Sequence, residues 1–216
     1  MKMRLKQNWI DYANACAFIG NSLLSPINRT EKVGLNPEFW EQFPSFNNAE
    51  MKRLLERCAN LAQSVRAGKD GMDACTWASV EYTHLFIGPP KPAAPPWETF
   101  YRNDVEATVG FGQATFEMQQ LLREAGLKIS NENNQYADHM GIELLLLNVY
   151  CMQVVEQLQN NNEQEAENKA LAAASYAHER IGSWIDAFAA KVAEAAPGGY
   201  FDHLLQLEKS LIKILE

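Results

Sequence analysis

Apolar side chains recur along this chain at the spacing of an α-helix, and this pattern constrains the fold more than any other feature. In one clear instance the apolar residues share a single helical face: Met51, Leu54, Leu55, Cys58, Leu61, Ala62 and Val65. Arginine and glutamate side chains occupy the opposite face, as on a helix that packs against a core on one side. We find no convincing run of alternating apolar and polar residues, which would indicate a half-buried strand. The sequence therefore predicts an all-α protein.

Turn-forming residues divide this pattern into a predicted bundle of about eight to ten helices. The first three predicted helices cover residues 8–24, 37–43 and 51–65, and Asp70 or Asp73 opens a fourth. Further helices are predicted at 110–124 and 136–158, over a long stretch that includes 171–192, and at 200–214. Asn47 and Glu50 resemble a capping box ahead of the third helix, and Gly68 ends it. On the long helix, Leu171 belongs to the predicted apolar side. No internal repeat or composition shift forces a boundary, so we expect one helical domain over residues 1–216.

The helix predicted at 136–158 has a middle, ELLLLNVYCM, that is apolar on nearly every side. Other helices must surround such a helix, so we expect it at the centre of the bundle. Its most apolar run, 142–155, contains Asn148 and Gln153 and is shorter than the ~20 residues that cross a bilayer. No stable membrane insertion is expected.

A proline-rich loop follows the fourth predicted helix. Five of the nine prolines fall between Pro89 and Pro96, where they disfavour helix and hold the chain near polyproline II geometry. Phe86 precedes this loop and Trp97 follows it. A tryptophan buries ~150 to 250 Å², so Trp97 either fills the core below the loop or lines an apolar groove with Phe86. The sequence does not decide between these two placements of the Trp97 side chain.

Charge and cysteine usage limit the partners and the compartment. The formal net charge is -8 and no basic patch stands out, which argues against a nucleic-acid partner. The four cysteines form no CxxC pair and lie within apolar helical patterns, as reduced core residues do. The first twenty residues mix polar residues into the apolar region that a signal peptide would need. We therefore expect a cytoplasmic protein.

Motifs for catalysis, metal or cofactor binding are weak in this sequence. Gly110 and Gly112 follow no predicted strand, so they are interpreted as turn and packing residues rather than a phosphate loop. His139 and Glu143 are four residues apart, a spacing that suits two metal ligands, but further ligands are not identifiable. No GxSxG motif or comparable nucleophile is present. We expect no enzymatic activity, no metal and no cofactor.

Asp138 and His139 form the polar pair that opens the apolar helix. In a structural interpretation, Asp138 caps the helix and His139 is a neutral donor to a nearby carbonyl. In an alternative functional class, the pair acts as acid and base in a protein that binds a nucleotide or small molecule. A third possibility is a bundle without a ligand site, in which both residues are only cap and core.

Several motifs together resemble the TorD/DmsD-type chaperones of molybdoenzymes, also called redox enzyme maturation proteins. They are EYTHLFIGP, PPWETFY, LLREAGL and ADHMGIELLLL, in that order and at those separations. The family pattern Y/F-x-x-L-F-x-G-P matches Tyr82, Leu85, Phe86, Gly88 and Pro89, and the Asp-His pair matches Asp138 and His139. The resemblance is strong over roughly residues 75–155.

The resemblance implies an all-helical, cytoplasmic chaperone with no catalytic reaction. Its partner would be the precursor of a molybdenum-containing oxidoreductase, bound through its twin-arginine signal peptide, through the apoprotein, or both, with export delayed and cofactor insertion assisted. Guanine nucleotide binding is associated with some members, and both monomers and helix-swapped dimers occur. The residues predicted to bind peptide are Leu85, Phe86, Pro96, Trp97, Glu98, Tyr101, Asp138 and His139. A receptor for two guanidiniums and an apolar stretch needs apolar grooves with carboxylates close by, which these residue types supply.

Overall fold

Helices dominate the computed structural model, which describes residues 8–102, 110–129 and 135–215. The α-helices are α1 Trp9–Leu24, α2 Pro37–Gln42, α3 Ala49–Val65, α4 Ala74–Tyr82, α5 Gln113–Glu124, α6 Met140–Gln159, α7 Glu163–Tyr176, α8 Gly182–Ala195 and α9 Tyr200–Ile214. One π-helical turn, Thr83–Ile87, extends α4, and another, Ala177–Ile181, joins α7 to α8. The predicted all-α class is confirmed.

Helix α6 lies at the centre of the bundle and packs against α1 on one side and α7 on the other. Its buried side chains point in several directions, as the sequence predicted for a surrounded helix. Gly20 of α1 and Gly141 of α6 let the two helices approach closely. A Cβ atom at Gly20 would lie 2.9 Å from the Gly141 carbonyl oxygen, so a larger residue would force the helices apart.

The hydrophobic core is one cluster to which helices from α1 to α9 contribute side chains. Helix α9 packs on α3 and α8, and Glu81 of α4 caps its first turn. The Glu81 carboxylate accepts hydrogen bonds from the backbone N–H groups of Tyr200 at 3.2 Å and Phe201 at 2.8 Å. Within the described residues, every helix is too short or too polar to span a membrane.

Several helix ends differ from the prediction. Helix α3 is capped by Asn48, whose side chain accepts from the N–H groups of Glu50 and Met51, whereas Asn47 adopts a left-handed conformation. Asp73 opens α4, and the alternative, Asp70, lies in the preceding turn. Leu171 is 53% exposed, so the expectation that it faces the core is wrong. The start and end residues of a helix depend on which side chain reaches a free N–H group, which periodicity does not encode.

Helices α5 and α6 also begin later than predicted, at Gln113 and Met140. The long helix predicted around 171–192 is interrupted by the π-helical turn at 177–181. Three of the four cysteines, Cys16, Cys58 and Cys151, are buried as expected, and Cys75 is half-buried.

Candidate functional site

The segment after the first π-helical turn, residues 88–97, forms a wall beside α4. It is held in place by two backbone hydrogen bonds, from Ala93 N–H to the His84 carbonyl at 3.2 Å and from Ala94 N–H to the Leu85 carbonyl at 2.9 Å. Gly88 starts the segment with φ 87°, and a Cβ atom there would lie 2.5 Å from the backbone of Lys91. A glycine is therefore required where the chain leaves the helix.

The end of this segment pairs with the residues that precede α6. Glu98 N–H donates to the Asp138 carbonyl, and Met140 N–H donates to the Pro96 carbonyl, each at 2.9 Å. The two bonds form an isolated antiparallel bridge between Trp97 and His139. Residues that are distant in the sequence thereby become the two sides of one site.

Asp138 holds this site together and does not cap α6. Its buried carboxylate accepts hydrogen bonds from Thr99 N–H at 3.1 Å, from Thr99 Oγ1 at 2.5 Å and from Thr115 Oγ1 at 2.8 Å. These contacts join the short 3₁₀ helix Glu98–Phe100 and α5 to the start of α6. Asp138 is inaccessible in this conformation, so it shapes the site from within.

His139 is the residue that caps α6, and the interpretation of Asp138 as the cap is wrong. The Nδ1 atom of His139 accepts a hydrogen bond from Gly141 N–H at 3.0 Å. Burial lowers the pKa of His139 to about 3, so the ring is neutral near pH 7. Because Nδ1 accepts, the ring proton lies on Nε2. That Nε2 atom is buried and has no hydrogen-bond partner among the described residues.

A cleft of about 330 Å³ opens beside His139. Phe86, Pro96 and His139, all predicted site residues, contribute to its lining together with Tyr82, Ile87 and Gln135. Arg29 also lines the cleft, and the described residues around it include no carboxylate. A buried N–H donor beside an arginine, among polar as well as apolar side chains, suits a peptide carbonyl better than a cationic side chain.

Trp97 lies between the core and the surface. It is half-buried, and its ring contacts those of His139 at 5.7 Å, Phe100 at 6.2 Å and Tyr136 at 6.4 Å between centroids. Its Nε1 atom has no hydrogen-bond partner among the described residues. Phe100 and Tyr136 are 48% and 43% exposed, and neither is among the residues that the sequence predicts to bind peptide.

The other predicted site residues lie deeper in the protein than Trp97 does. Leu85 and Phe86 are buried, and the Phe86 ring packs on Phe201 at 5.0 Å. Tyr101 stacks on Trp184 of α8 with ring centroids 5.3 Å apart. Of the apolar residues predicted to bind peptide, Leu85, Phe86 and Pro96 are buried in this conformation, and Trp97 is half-buried.

Glu98 belongs to a partly buried cluster of charged residues, here called the carboxylate–arginine cluster: Glu98, Arg102, Glu117, Glu143 and Arg180. Arg180, on the second π-helical turn, links four parts of the chain. Its guanidinium contacts Glu98 at 2.6 Å, Glu117 at 3.1 Å and Glu143 at 3.4 Å, and donates to the Ala114 carbonyl at 2.9 Å. Sequence reasoning missed Arg180, because an isolated arginine in a helix usually indicates a solvated face.

Arg102 and Glu143 make the remaining contacts of the cluster. Arg102 contacts Glu98 through both Nε and Nη2 at 2.7 Å, and Glu117 through Nη2 at 2.9 Å. Glu143 accepts a hydrogen bond from Trp184 Nε1 at 3.0 Å. Burial and the nearby charge of Glu98 raise the pKa of Glu143 well above its usual range.

His139 and Glu143 do not form a metal site with a third ligand. Among the residues that the structure describes, no group of three or more His, Cys, Asp and Glu side chains could hold a metal ion. Glu143 contacts Arg180 and Trp184 instead.

Comparison with known proteins identifies the family of this chain. Residues 47–190, more than half of the chain, match the family model described as nitrate reductase delta subunit. The chaperone protein TorD of Shewanella pealeana is 26% identical over 82% of this chain and 73% of its own length. TorD of Photobacterium profundum is 25% identical over 73% of this chain and 63% of its own length.

A shorter match has higher identity. The Tat proofreading chaperone DmsD of Salmonella typhi is 35% identical over 30% of this chain and 31% of its own length. With the family match and the TorD relatives, this result places the protein in the nitrate reductase delta subunit family, among the TorD/DmsD-type maturation chaperones.

Proposed function

We propose that this protein is a cytoplasmic chaperone that binds the twin-arginine signal peptide of a molybdenum-containing oxidoreductase. The relatives carry the names chaperone and Tat proofreading chaperone, which supports the class. The observation that carries the peptide proposal is the buried, unpartnered Nε2–H of His139, a residue that lines a cleft together with Pro96 and Phe86. A buried donor without a partner costs ~1–3 kcal/mol, and a ligand carbonyl would remove that cost.

The peptide would bind in an extended form along the proline segment. Binding would uncover the buried Nε2 atom of His139, so that one of the peptide's backbone carbonyls accepts its hydrogen bond, and an apolar side chain would pack between Phe86 and Pro96. Its hydrophobic stretch continues over Trp97 onto the exposed rings of Phe100 and Tyr136. Extended peptides commonly bind in this way, with backbone hydrogen bonds for affinity and side-chain pockets for specificity.

The remaining predicted site residues would act by shaping the cleft. Asp138 fixes the relative positions of Thr99, Thr115 and the start of α6 through its three hydrogen bonds. Leu85 and Tyr101 pack behind the wall. Bound signal peptide is hidden from the export machinery, so the same contact would delay export while the apoprotein receives its cofactor.

The rival proposal, a nucleotide-handling protein that uses Asp138 and His139 as acid and base, fits the geometry less well. The Asp138 carboxylate already accepts hydrogen bonds from two threonines, and the Nδ1 atom of His139 is engaged by Gly141. A pKa near 3 also makes His139 a poor general base at neutral pH.

Isothermal titration calorimetry with synthetic twin-arginine signal peptides tests the proposal. We expect binding in about the micromolar range or tighter, weakened about tenfold or more in Trp97→Ala and in His139→Asn. The asparagine preserves the cap but is too short to place a donor at the Nε2 position. Leu171→Ala changes an exposed apolar residue on α7 and should leave the affinity unchanged.

A panel of several such peptides with no detectable binding to the folded wild-type protein would refute the proposal. Equal loss of affinity in Leu171→Ala would mean that the cleft is not the site. Circular dichroism of each variant confirms that the helices are intact.

A further inference from the structure

Glu98 and Glu117 together form a binding place for one guanidinium group, here called the guanidinium seat. In this structure Arg102 occupies it. Its Nε and Nη2 atoms both lie 2.7 Å from Glu98 Oε1, and Nη2 lies 2.9 Å from Glu117 Oε2. Two carboxylates around one guanidinium provide the strong, charge-assisted contacts that arginine makes better than lysine.

Arg102 is the more exposed of the two arginines that contact Glu98. The side chain of Arg102 is 34% exposed and that of Glu117 is 36% exposed, whereas that of Arg180 is only 10% exposed. If Arg102 leaves, Glu98 keeps its 2.6 Å contact with Arg180, so its buried charge stays paired. Arg180 therefore has the structural role, and Arg102 is the replaceable partner.

The cleft beside His139 cannot supply the acidic contacts that a twin-arginine peptide needs. Its described lining contains Arg29 and no carboxylate. Glu98 of the guanidinium seat follows Pro96 of the cleft lining by two residues in the sequence. Exchange of Arg102 for another arginine leaves the charge of the carboxylate–arginine cluster unchanged.

We propose that Arg102 occupies the guanidinium seat in place of an arginine of the bound peptide, which displaces it on binding. The inference rests on the proposed function. It adds an acidic subsite specific for guanidinium and an intramolecular competitor that lowers the affinity of the free protein for its peptide.

The first test compares peptide affinities by calorimetry. Arg102→Gln removes the competitor, so we expect it to bind a twin-arginine peptide about tenfold tighter than wild type does. For a peptide with both arginines replaced by lysine, Arg102→Gln should increase the affinity much less, because a lysine ammonium does not match the seat. Adding Glu117→Gln to Arg102→Gln should abolish the gain.

Arg66→Gln is the matched control, since it makes the same charge change at an exposed arginine whose ion pair with Glu38 spans 4.0 Å. Tighter binding of equal size in Arg66→Gln, or with the lysine peptide, would show a bulk charge effect and overturn the inference. Unchanged or weaker binding by folded Arg102→Gln would also overturn it.

A second test does not depend on the peptide. Arg102→Ala empties the seat, and we expect millimolar methylguanidinium to raise its melting temperature but not that of wild type. Methylammonium, a point charge, should have less effect, and Arg102→Ala combined with Glu117→Gln should not respond.

The two experiments separate the two proposals. If no variant binds any signal peptide but methylguanidinium rescues Arg102→Ala, the seat exists and the proposed function fails. If methylguanidinium does not raise the melting temperature of Arg102→Ala, or if methylammonium raises it equally, the guanidinium seat is refuted whatever the result with the peptides.

Discussion

The backbone N–H of Gly141 donates to the Nδ1 atom of His139 at 3.0 Å, so a buried histidine caps the central helix of this protein. The same bond fixes the tautomer, because a neutral imidazole that accepts at Nδ1 carries its proton on Nε2. A local capping interaction thus leaves a buried donor unpaired on a residue that lines the cleft.

The cap can be separated from the donor by two substitutions. His139→Ala removes the cap, and we expect it to be about 1 kcal/mol less stable in urea unfolding than His139→Asn, since asparagine is a good N-cap. Both variants lose the Nε2 donor and the ring. Equal stability of the two would show that the Gly141 contact contributes nothing.

The burial of His139 also predicts a pH dependence of stability. Its pKa is about 3 in the folded protein and about 6.5 in the unfolded chain, so between these values only the unfolded state gains a proton. Stability should therefore fall as the pH drops below 6.5, by up to ~1.4 kcal/mol per pH unit from this residue. His139→Asn should show a shallower decline between pH 6.5 and pH 4. Parallel pH profiles of wild type and variant would contradict the assignment.

Arg180 should be essential for stability, because it contacts the buried Glu98 and Glu143 at once. Arg180→Met leaves buried carboxylates with fewer partners, and we expect it to cost about 3–5 kcal/mol. Arg180→Lys should retain only part of the stability that Arg180→Met loses, since one ammonium cannot make all the contacts of the guanidinium. Adding Glu143→Gln to Arg180→Met removes one uncompensated acid and should restore some stability. A double-mutant cycle in urea measures this coupling, and additive effects would refute it.

Glu208 should destabilise the protein at neutral pH. Both of its carboxylate oxygens are buried and lack a hydrogen-bond partner among the described residues. Burial raises the pKa of Glu208 well above its usual range, so above about pH 4.5 the unfolded chain releases a proton that the folded protein retains. Glu208→Met, similar in size and uncharged, should therefore stabilise the protein, by more at pH 8 than at pH 5.

The sign of the Glu208 prediction is testable by urea unfolding at both pH values. Lys209→Met, at the adjacent and partly exposed position, is the control for a gain in hydrophobicity alone. A Glu208→Met variant that is less stable than wild type at pH 8 would show that the carboxyl group has a partner in solution.

Local sequence patterns were sufficient to predict the helices but not all of the residues at which they begin and end. The stripe from Met51 to Val65 became α3, since 3.6-residue periodicity is a property of neighbouring residues alone. Helix α6 begins at Met140 rather than near Tyr136, because residues 138–140 instead pair with the proline segment. That pairing is a long-range contact that a helical period does not contain.

The candidate site was predictable in part. The neighbourhood of Pro96, Trp97 and His139 followed from a family resemblance, whereas the exposed Phe100 and Tyr136 and the buried Arg180 carried no local signal. A helical arginine is usually solvated, and its burial depends on which carboxylates the fold brings within reach.

The all-α class, the central position of α6 and the family follow from the amino-acid sequence alone, because these depend on periodicity and on motifs within short stretches of chain. The folded chain was needed to show that His139 caps α6, that Asp138 joins Thr99 to Thr115, and that Arg102 occupies the place between Glu98 and Glu117. The physical reason is that burial and hydrogen-bond partners arise from contacts between segments far apart in the chain. Those contacts set which polar groups are satisfied and which stay available to a ligand.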